Sequence, residues 1–290
     1  MKNVSGVLYS LNYGKITALH LDPIEKKPLF HFKPGSMVLS LGSFGCNFRC
    51  GFCQNHAIAL DPDPVSVDMS IKDLLAKALE TPGNIGLAYT YNEPTVYFDM
   101  VLDLAEGIKA QGQDNIFVTN GFIDPRPLKT LIPFLDGVNV DIKSFDENFY
   151  KREIKGGLGE VLRTVEALVT AGVHVEITHL LIEGVNDELE SFKRMVEWIK
   201  ALSKEIPLHV SRYFPAFTYT IPATSPGRIR DFVREARGSL DYVYAGNLVG
   251  EDIDTYCPNC GYPVVERGYR TLSRLKLGHC PHCGQKIPVI

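Results

Sequence analysis

No apolar run in this sequence is long enough to cross a bilayer. The longest, such as IGLAY and VHVEITHLLI, fall well short of the ~20 residues a spanning helix needs. Nor is charge of one sign in excess. Thirty Lys and Arg against 34 Asp and Glu leave a formal charge of −4, no electrostatic case for nucleic acid or an anionic membrane as main partner. The N-terminal MKNVSGVLYSLNYGKITAL has one early lysine and then polar and glycine interruptions, a poor signal peptide, so a cytoplasmic location is expected. No G-x-G-x-x-G follows a strand-like run, which counts against a Rossmann-type dinucleotide site. Internal repeats and low-complexity linkers are also missing. Trp198 is the sole tryptophan, in a stretch of helical apolar spacing (MVEWIKAL) that assigns it to the core.

What is present is an ordinary globular composition, 45% hydrophobic and 22% charged, on a chain long enough for a large core plus a small module. Strand-like runs occur at 37–42, 85–90, 115–119, 137–142, 173–182 and 207–214, with a weaker one at 241–246. Between them, apolar residues recur at helical spacing over 70–80, 95–110, 158–171, 188–202 and 226–237, and 124–135 reads as a shorter, proline-started helix. This alternation predicts βαβ units and a parallel sheet, as a partial (β/α)6-type TIM barrel, with a doubly wound open sheet as runner-up. Residues 1–35 read as an irregular or hairpin-bearing N-terminal extension, 36–250 as the barrel, and 251–290 as a small metal-binding module.

The cysteines carry the chemistry. All seven fall into two tight clusters, which suits metal ligation in a reducing compartment better than disulfides. GCNFRCGFCQNH holds Cys46, Cys50 and Cys53, spaced C-x3-C-x2-C, in a loop just after the first core strand. In an α/β barrel that is the functional face. Three thiolates hold three irons of a [4Fe–4S] cluster and leave the fourth iron an exchangeable position, while Gly45 and Gly51 ease the backbone around the cube. Two alternatives stand beside this: a zinc site completed by His56, and an electron-transfer cluster with a distant fourth ligand.

The second cluster is Cys257, Cys260, Cys280 and Cys283, in two C-P-x-C-G knuckles separated by 19 residues. Each knuckle offers two thiolates from a tight turn in which Gly261 or Gly284 permits positive φ. A tetrahedral zinc-ribbon or rubredoxin-like site follows, with zinc the preferred metal and iron the alternative. His279 and His282 are bystanders to a shell already complete. Arg267, Arg270, Arg274, Lys276 and Lys286 against Glu266 form a mild basic bias, read as a solvated face rather than a nucleic-acid site.

The triplet, with Phe52 before its last cysteine, resembles the signature of the radical S-adenosylmethionine (radical SAM) superfamily. The resemblance implies that SAM chelates the open iron through its amino and carboxylate groups. An electron from the cluster then splits its S–C5′ bond, giving methionine and a 5′-deoxyadenosyl radical that abstracts hydrogen from a substrate. YTYNEPT stands where the family has a Gly-Gly-Glu-like motif for the SAM amino group; here the glycines are gone and Asn92, Glu93 and Pro94 remain. Pro94 also reads as the first residue of a helix. VTNG places Asn120 at the mouth, as in activases of glycyl-radical enzymes, or as an ordinary Asn-Gly turn.

In GVNVDIK, period-two alternation puts Asn139, Asp141 and Lys143 on one face. In activase relatives the matching pair lies beside SAM, which implies Lys143 on its carboxylate and Asp141 orienting it or helping to hold a cation; a buried ion pair is the plain alternative. His209, Ser211 and Tyr213 share one face, Val210, Arg212 and Phe214 the other, while His174 and His179 read as packing or surface residues.

Six segments in order, DPIEKKPLFHFKPGS, GCNFRCGFCQN, YTYNEPTVYF, VDIKSF, RYFP and TYCPNCG, resemble the radical SAM component of the AmmeMemoRadiSam grouping, labelled pyruvate formate-lyase-activating-enzyme-like. That label implies a radical SAM oxidoreductase, a reductant such as ferredoxin or flavodoxin, and a protein or peptide substrate. A small-molecule substrate, or a non-catalytic scaffold holding two zinc ions, are the competing readings.

Overall fold

The computed structural model describes residues 2–290. Its centre is an eight-stranded sheet: β1 (Ala18–Pro23), β2 (Met37–Gly42), β3 (Asn84–Tyr89), β4 (Asp114–Thr119), β5 (Gly137–Asp141), β6 (His174–Leu181), β7 (Leu208–Arg212) and β8 (Val243–Gly246). Their spatial order is their chain order, without reversal. All neighbours from β2 onward are parallel, and β1 lies antiparallel on the edge of β2. A doubly wound sheet reverses its strand order midway; a sheet that never does so keeps its helices on one face and curls around the other. The runner-up architecture is therefore excluded. The seven strands expected from hydrophobic runs are all present.

The helices that follow the strands are α1 (Ile71–Glu80), α2 (Phe98–Ala110), α3 (Pro125–Leu131), α4 (Leu158–Thr170), α5 (Leu189–Leu202) and α6 (Pro226–Arg237). Local chemistry sets their starts: Ser70, Asp124 and Ser225 cap the backbone N–H groups of Asp73, Arg126 and Arg228, with proline first in α3 and α6. None of the described helices is long and apolar enough to cross a membrane.

Residues 18–36, expected as part of an extension, are built into the barrel. After β1 the chain passes under the sheet, and Ile24, Leu29 and Phe32 pack with Val38, Ala88 and Ile116 as an apolar floor. The floor is fixed by a buried carboxylate. Glu176 accepts bonds from Phe30 N at 2.9 Å, His31 N at 2.7 Å, His174 Nε2 at 3.0 Å and His209 Nε2 at 2.7 Å. Burial would raise the pKa of this group, but the bonds from His174 and His209 hold it well below the usual carboxylate range. This settles which set on β7 looks inward: His209, while Val210 joins the main core beneath the helices. His174 belongs to the floor, and His179 packs on Phe192 of α5. Trp198 packs against the edge of the core, beside Phe145, but is only half-buried, its Nε1 donating to Glu166 at 3.3 Å.

The C-terminal module is a small antiparallel sheet of β9 (Thr255–Tyr256), β10 (Pro263–Arg267) and β11 (Thr271–Ser273). It clasps the floor from below. Arg267 donates to Phe30 O at 2.5 Å with its guanidinium over the Phe30 ring, and Pro288 O and Tyr244 OH bracket the His31 imidazole. One member of the basic face read from the sequence is thus a half-buried clamp rather than a solvated charge.

Candidate functional site

The mouth of the barrel gathers most of the residues singled out in the sequence. The loop after β2 carries Cys46, Cys50 and Cys53, each half-buried. Phe48 fixes this loop by inserting a fully buried ring against Phe122 and Tyr150, and Arg49 N donates to Ile154 O at 2.9 Å. Gly45 has φ 91°, as expected. Gly51 serves by close approach instead: an added Cβ would lie 2.7 Å from Thr218 Oγ1 and from Tyr219 Cε1. Those residues belong to a turn beyond β7 that folds back over the loop, with Thr218 N donating to Gly51 O at 3.0 Å. Phe52 is buried between Phe149 and Tyr219, so its ring packs the loop down.

Burial pushes the thiol of Cys46 up to about 12, with the Glu93 charge adding to the effect, and that of Cys50 to about 11. Protons hold these sulfurs until a metal displaces them.

Glu93 is buried and heavily used. It accepts from Thr95 N at 3.0 Å, Thr119 Oγ1 at 2.8 Å and Asn120 N at 2.8 Å, and caps the short helix begun by Pro94. The helix-start reading of Glu93-Pro94 is therefore present in the geometry. Asn92 spends its side chain as a brace, Oδ1 accepting from Ser43 N at 3.0 Å and Nδ2 donating to Gly45 O at 2.9 Å. Asn120 turns its amide toward the first cysteine, 3.8 Å from Cys46 Sγ and 2.7 Å from Asn47 Oδ1. Asn47, which no motif marks, lies between the two, its Oδ1 3.9 Å from Cys46 Sγ and accepting from Asn120 Nδ2, while its Nδ2 donates to Phe122 O at 2.7 Å.

Across the mouth, β5 behaves as its alternation predicts. Asn139 reaches the floor at Pro28 O, 2.8 Å away, and Asp141 two residues on lies at the open end, ion-paired with Lys143. Burial opposes the charge on Lys143, yet Asp141 and the sulfurs of Cys50 and Cys53 hold its pKa above that of a free lysine. Asp141 Oδ1 is buried with no partner, and so is Thr178 Oγ1 on the adjoining strand, in register with Asp141. Two unanswered polar atoms on neighbouring strands, one of them on the carboxylate whose charge acts on the Cys50 and Cys53 thiols, are what a polar occupant would satisfy.

The distal quartet contrasts with this. Among the described residues it is the only set of three or more Cys, His, Asp or Glu whose ligand atoms lie within 4.8 Å of one another. Cys257 and Cys283 sulfurs are 3.5 Å apart, Cys260 and Cys280 3.7 Å, close to the ~3.8 Å edge of a tetrahedron with ~2.3 Å metal–sulfur bonds. Gly261 and Gly284 have φ 71° and 76°. The side chain of Asn259 and the backbone at Gln285 lower the Cys283 thiol to about 6. The triplet is more widely spread than this single-ion spacing, as the corners of a cluster require. His56 stacks on Phe217 and faces Cys53 O, which disfavours its zinc alternative.

The family model described as Radical SAM superfamily matches residues 41–204, from the end of β2 through α5. The chain belongs to the radical SAM superfamily. Membership implies a [4Fe–4S] cluster and SAM. Uncharacterized protein MJ0808 of Methanocaldococcus jannaschii is 38% identical, over 100% of this chain and 89% of its own. The pyruvate formate-lyase-activating enzyme of Clostridium pasteurianum is 25% identical over 54% of this chain and 66% of its own. In fold, a radical SAM methyltransferase from Sphaerobacter thermophilus superposes with a TM-score of 0.59, at 16% identity, over 74% of this chain and 67% of its own.

Proposed function

We propose that Cys46, Cys50 and Cys53 hold a [4Fe–4S] cluster whose fourth iron receives SAM, and that the chain is a pyruvate formate-lyase-activating-enzyme-like radical SAM oxidoreductase of the AmmeMemoRadiSam grouping. Held by these three thiolates, a reduced cluster would supply the electron needed to split SAM into methionine and the 5′-deoxyadenosyl radical. The observation that carries this is the convergence, at one end of the barrel, of three thiols spread beyond single-ion spacing with the Asp141–Lys143 pair and its unpartnered Oδ1.

The chain's own residues then have definite tasks. Lys143 neutralises a carboxylate presented between it and the cluster loop. Asp141 and Thr178 accept or donate bonds to the nucleoside part. The turn Thr90–Glu93 receives the amino group, and Asn120 steadies Cys46 through its amide. Because residues 24–36 close the floor, a substrate reaches the radical from the mouth. The activating-enzyme name of the C. pasteurianum relative supports a protein or peptide as substrate. By the resemblance to activases, the hydrogen donor is then a glycine Cα–H and the reductant a ferredoxin or flavodoxin. The C-terminal quartet, in a unit spanning 251–290, binds zinc as a structural ion that keeps the module clasped to the floor.

Anaerobic reconstitution with iron and sulfide, then SAM and a strong reductant, tests this directly. Release of 5′-deoxyadenosine supports it. A colourless protein with two zinc ions and no SAM turnover supports the scaffold reading instead.

A further inference from the structure

The family's Gly-Gly-Glu-like turn has no glycine in this chain, and the structure shows what stands in its place. Tyr91 has φ 69°, in the left-handed region that glycine enters freely and other residues enter at a cost. Its ring is held from several sides. The hydroxyl donates to Asp22 Oδ2 at 2.5 Å. Lys27, itself buried, bonds the same oxygen at 2.9 Å and sets its Nζ 4.6 Å from the ring centroid. His20 meets the ring edge-on at 6.2 Å. Gly42 lies against it, where an added Cβ would come within 3.0 Å of Tyr91 Cδ2. The backbone is tied as well: Asn55 Nδ2 donates to Tyr91 O at 2.7 Å and Asn92 N to Thr90 O at 2.9 Å.

The side-chain bonds of Asp22 and Lys27 stay among themselves, Lys26 and Tyr91, whereas Asn55, which ties the backbone, also donates its own N–H to the Cys53 sulfur. Asp22 and Lys27 sit on the edge strand and the floor segment, and their one shared target is the residue in the strained conformation. Strained residues persist where their surroundings over-determine them. We propose that Tyr91 is a positioning residue for SAM: the Asp22–Lys27 pair pins the ring, and the pinned ring holds the 90–92 turn in the left-handed shape that glycine would adopt unaided. This rests on the reading that the turn receives the SAM amino group.

The test uses the full chain, reconstituted anaerobically and reduced, with SAM titrated in and the change in the cluster's electron paramagnetic resonance signal read as Kd. Iron content is measured in each sample. Tyr91→Ala is expected to weaken SAM binding about tenfold at wild-type iron content, since alanine pays for the conformation without an anchor. Tyr91→Gly is expected to return to within about twofold of wild type, although it removes the same ring. Tyr91→Phe, which keeps the ring and loses the Asp22 bond, is expected to weaken binding about threefold. Should the alanine variant fail to fold, the glycine and phenylalanine variants carry the same contrast. Wild-type affinity in Tyr91→Ala, or glycine binding no tighter than alanine, overturns the proposal. A wild-type protein that holds its iron and gives no response to SAM overturns the parent reading instead, and this one with it.

Discussion

Seven cysteines serve two sites in this chain, and the two are built on opposite plans. The distal quartet comes from two short knuckles that each turn on a positive-φ glycine, and its sulfurs already stand at tetrahedral distance. The triplet comes from one loop, held by what surrounds it: Phe48 driven into the core, Gly51 under the Thr218 turn, Asn120 against Cys46. The first site brings four sulfurs within 4.8 Å of one another, a complete tetrahedral shell. The second offers three thiols, with the charge of Asp141, whose Oδ1 has no partner, acting on two of them. On the proposed function, the same ligand atoms would hold a structural ion in one place and a reactive cluster in the other, because the neighbours differ.

The largest effect expected from breaking this contrast is at Cys46. Cys46→Ala should abolish 5′-deoxyadenosine release while metal analysis still finds the ion at the quartet. If release continued at the wild-type rate, the ligand assignment would be wrong. Cys260→Ala should do the reverse, unfolding the module and exposing the floor beneath Arg267 and Pro288, read as a lower thermal midpoint.

Next in size is Glu176, which fixes the floor onto which the C-terminal module is clasped. Glu176→Gln leaves His174, His209 and two backbone donors facing an amide in place of a charge. A loss of about 3 kcal/mol in denaturant unfolding is expected, from breaking a buried charged network.

The pH dependence of stability comes after these. Burial lowers the His31 imidazole to about 3, so the unfolded chain takes up a proton below its ordinary 6.5 that the folded chain refuses. Stability is then present above pH 6.5 and lost as pH falls, by up to about 1.4 kcal/mol per unit. Glu176, also depressed, adds a further loss as pH falls below its ordinary 4.5. A stability curve flat from pH 7 to 4 contradicts the first, and one that falls no further below pH 4.5 contradicts the second. The smallest expected effect is Gly51→Ala, which must push the Thr218 turn outward and should cost about 1–2 kcal/mol while leaving the quartet's metal untouched.

How much of this could be read in advance follows from how each part is stabilised. The seven parallel strands are buried on both faces and show as apolar runs, so their limits could be placed within a residue or two. β1 could not, because ALHLDP is an edge strand with half its residues exposed and a proline at its end. The quartet was legible because knuckle spacing fixes its geometry almost alone. At the mouth, spacing named the thiols and alternation named Asp141, but not the partners supplied from distant segments. Asn47, Thr178 and the Asp22–Lys27–Tyr91 anchor join residues up to 75 positions apart. A tyrosine at positive φ carries no sequence signal, since nothing in YTYNEPT marks which residue takes the turn that glycine takes elsewhere. Trp198 misled for a related reason: helical spacing places a residue on a face without saying how deeply that face is covered.

The most direct measurement is of the metals themselves. Oxygen-free protein, reconstituted and reduced, should carry four irons at the mouth and a single ion at the far quartet. Its iron resonance should shift when SAM is added. Two zinc ions with no iron, or an iron signal indifferent to SAM, would contradict the account.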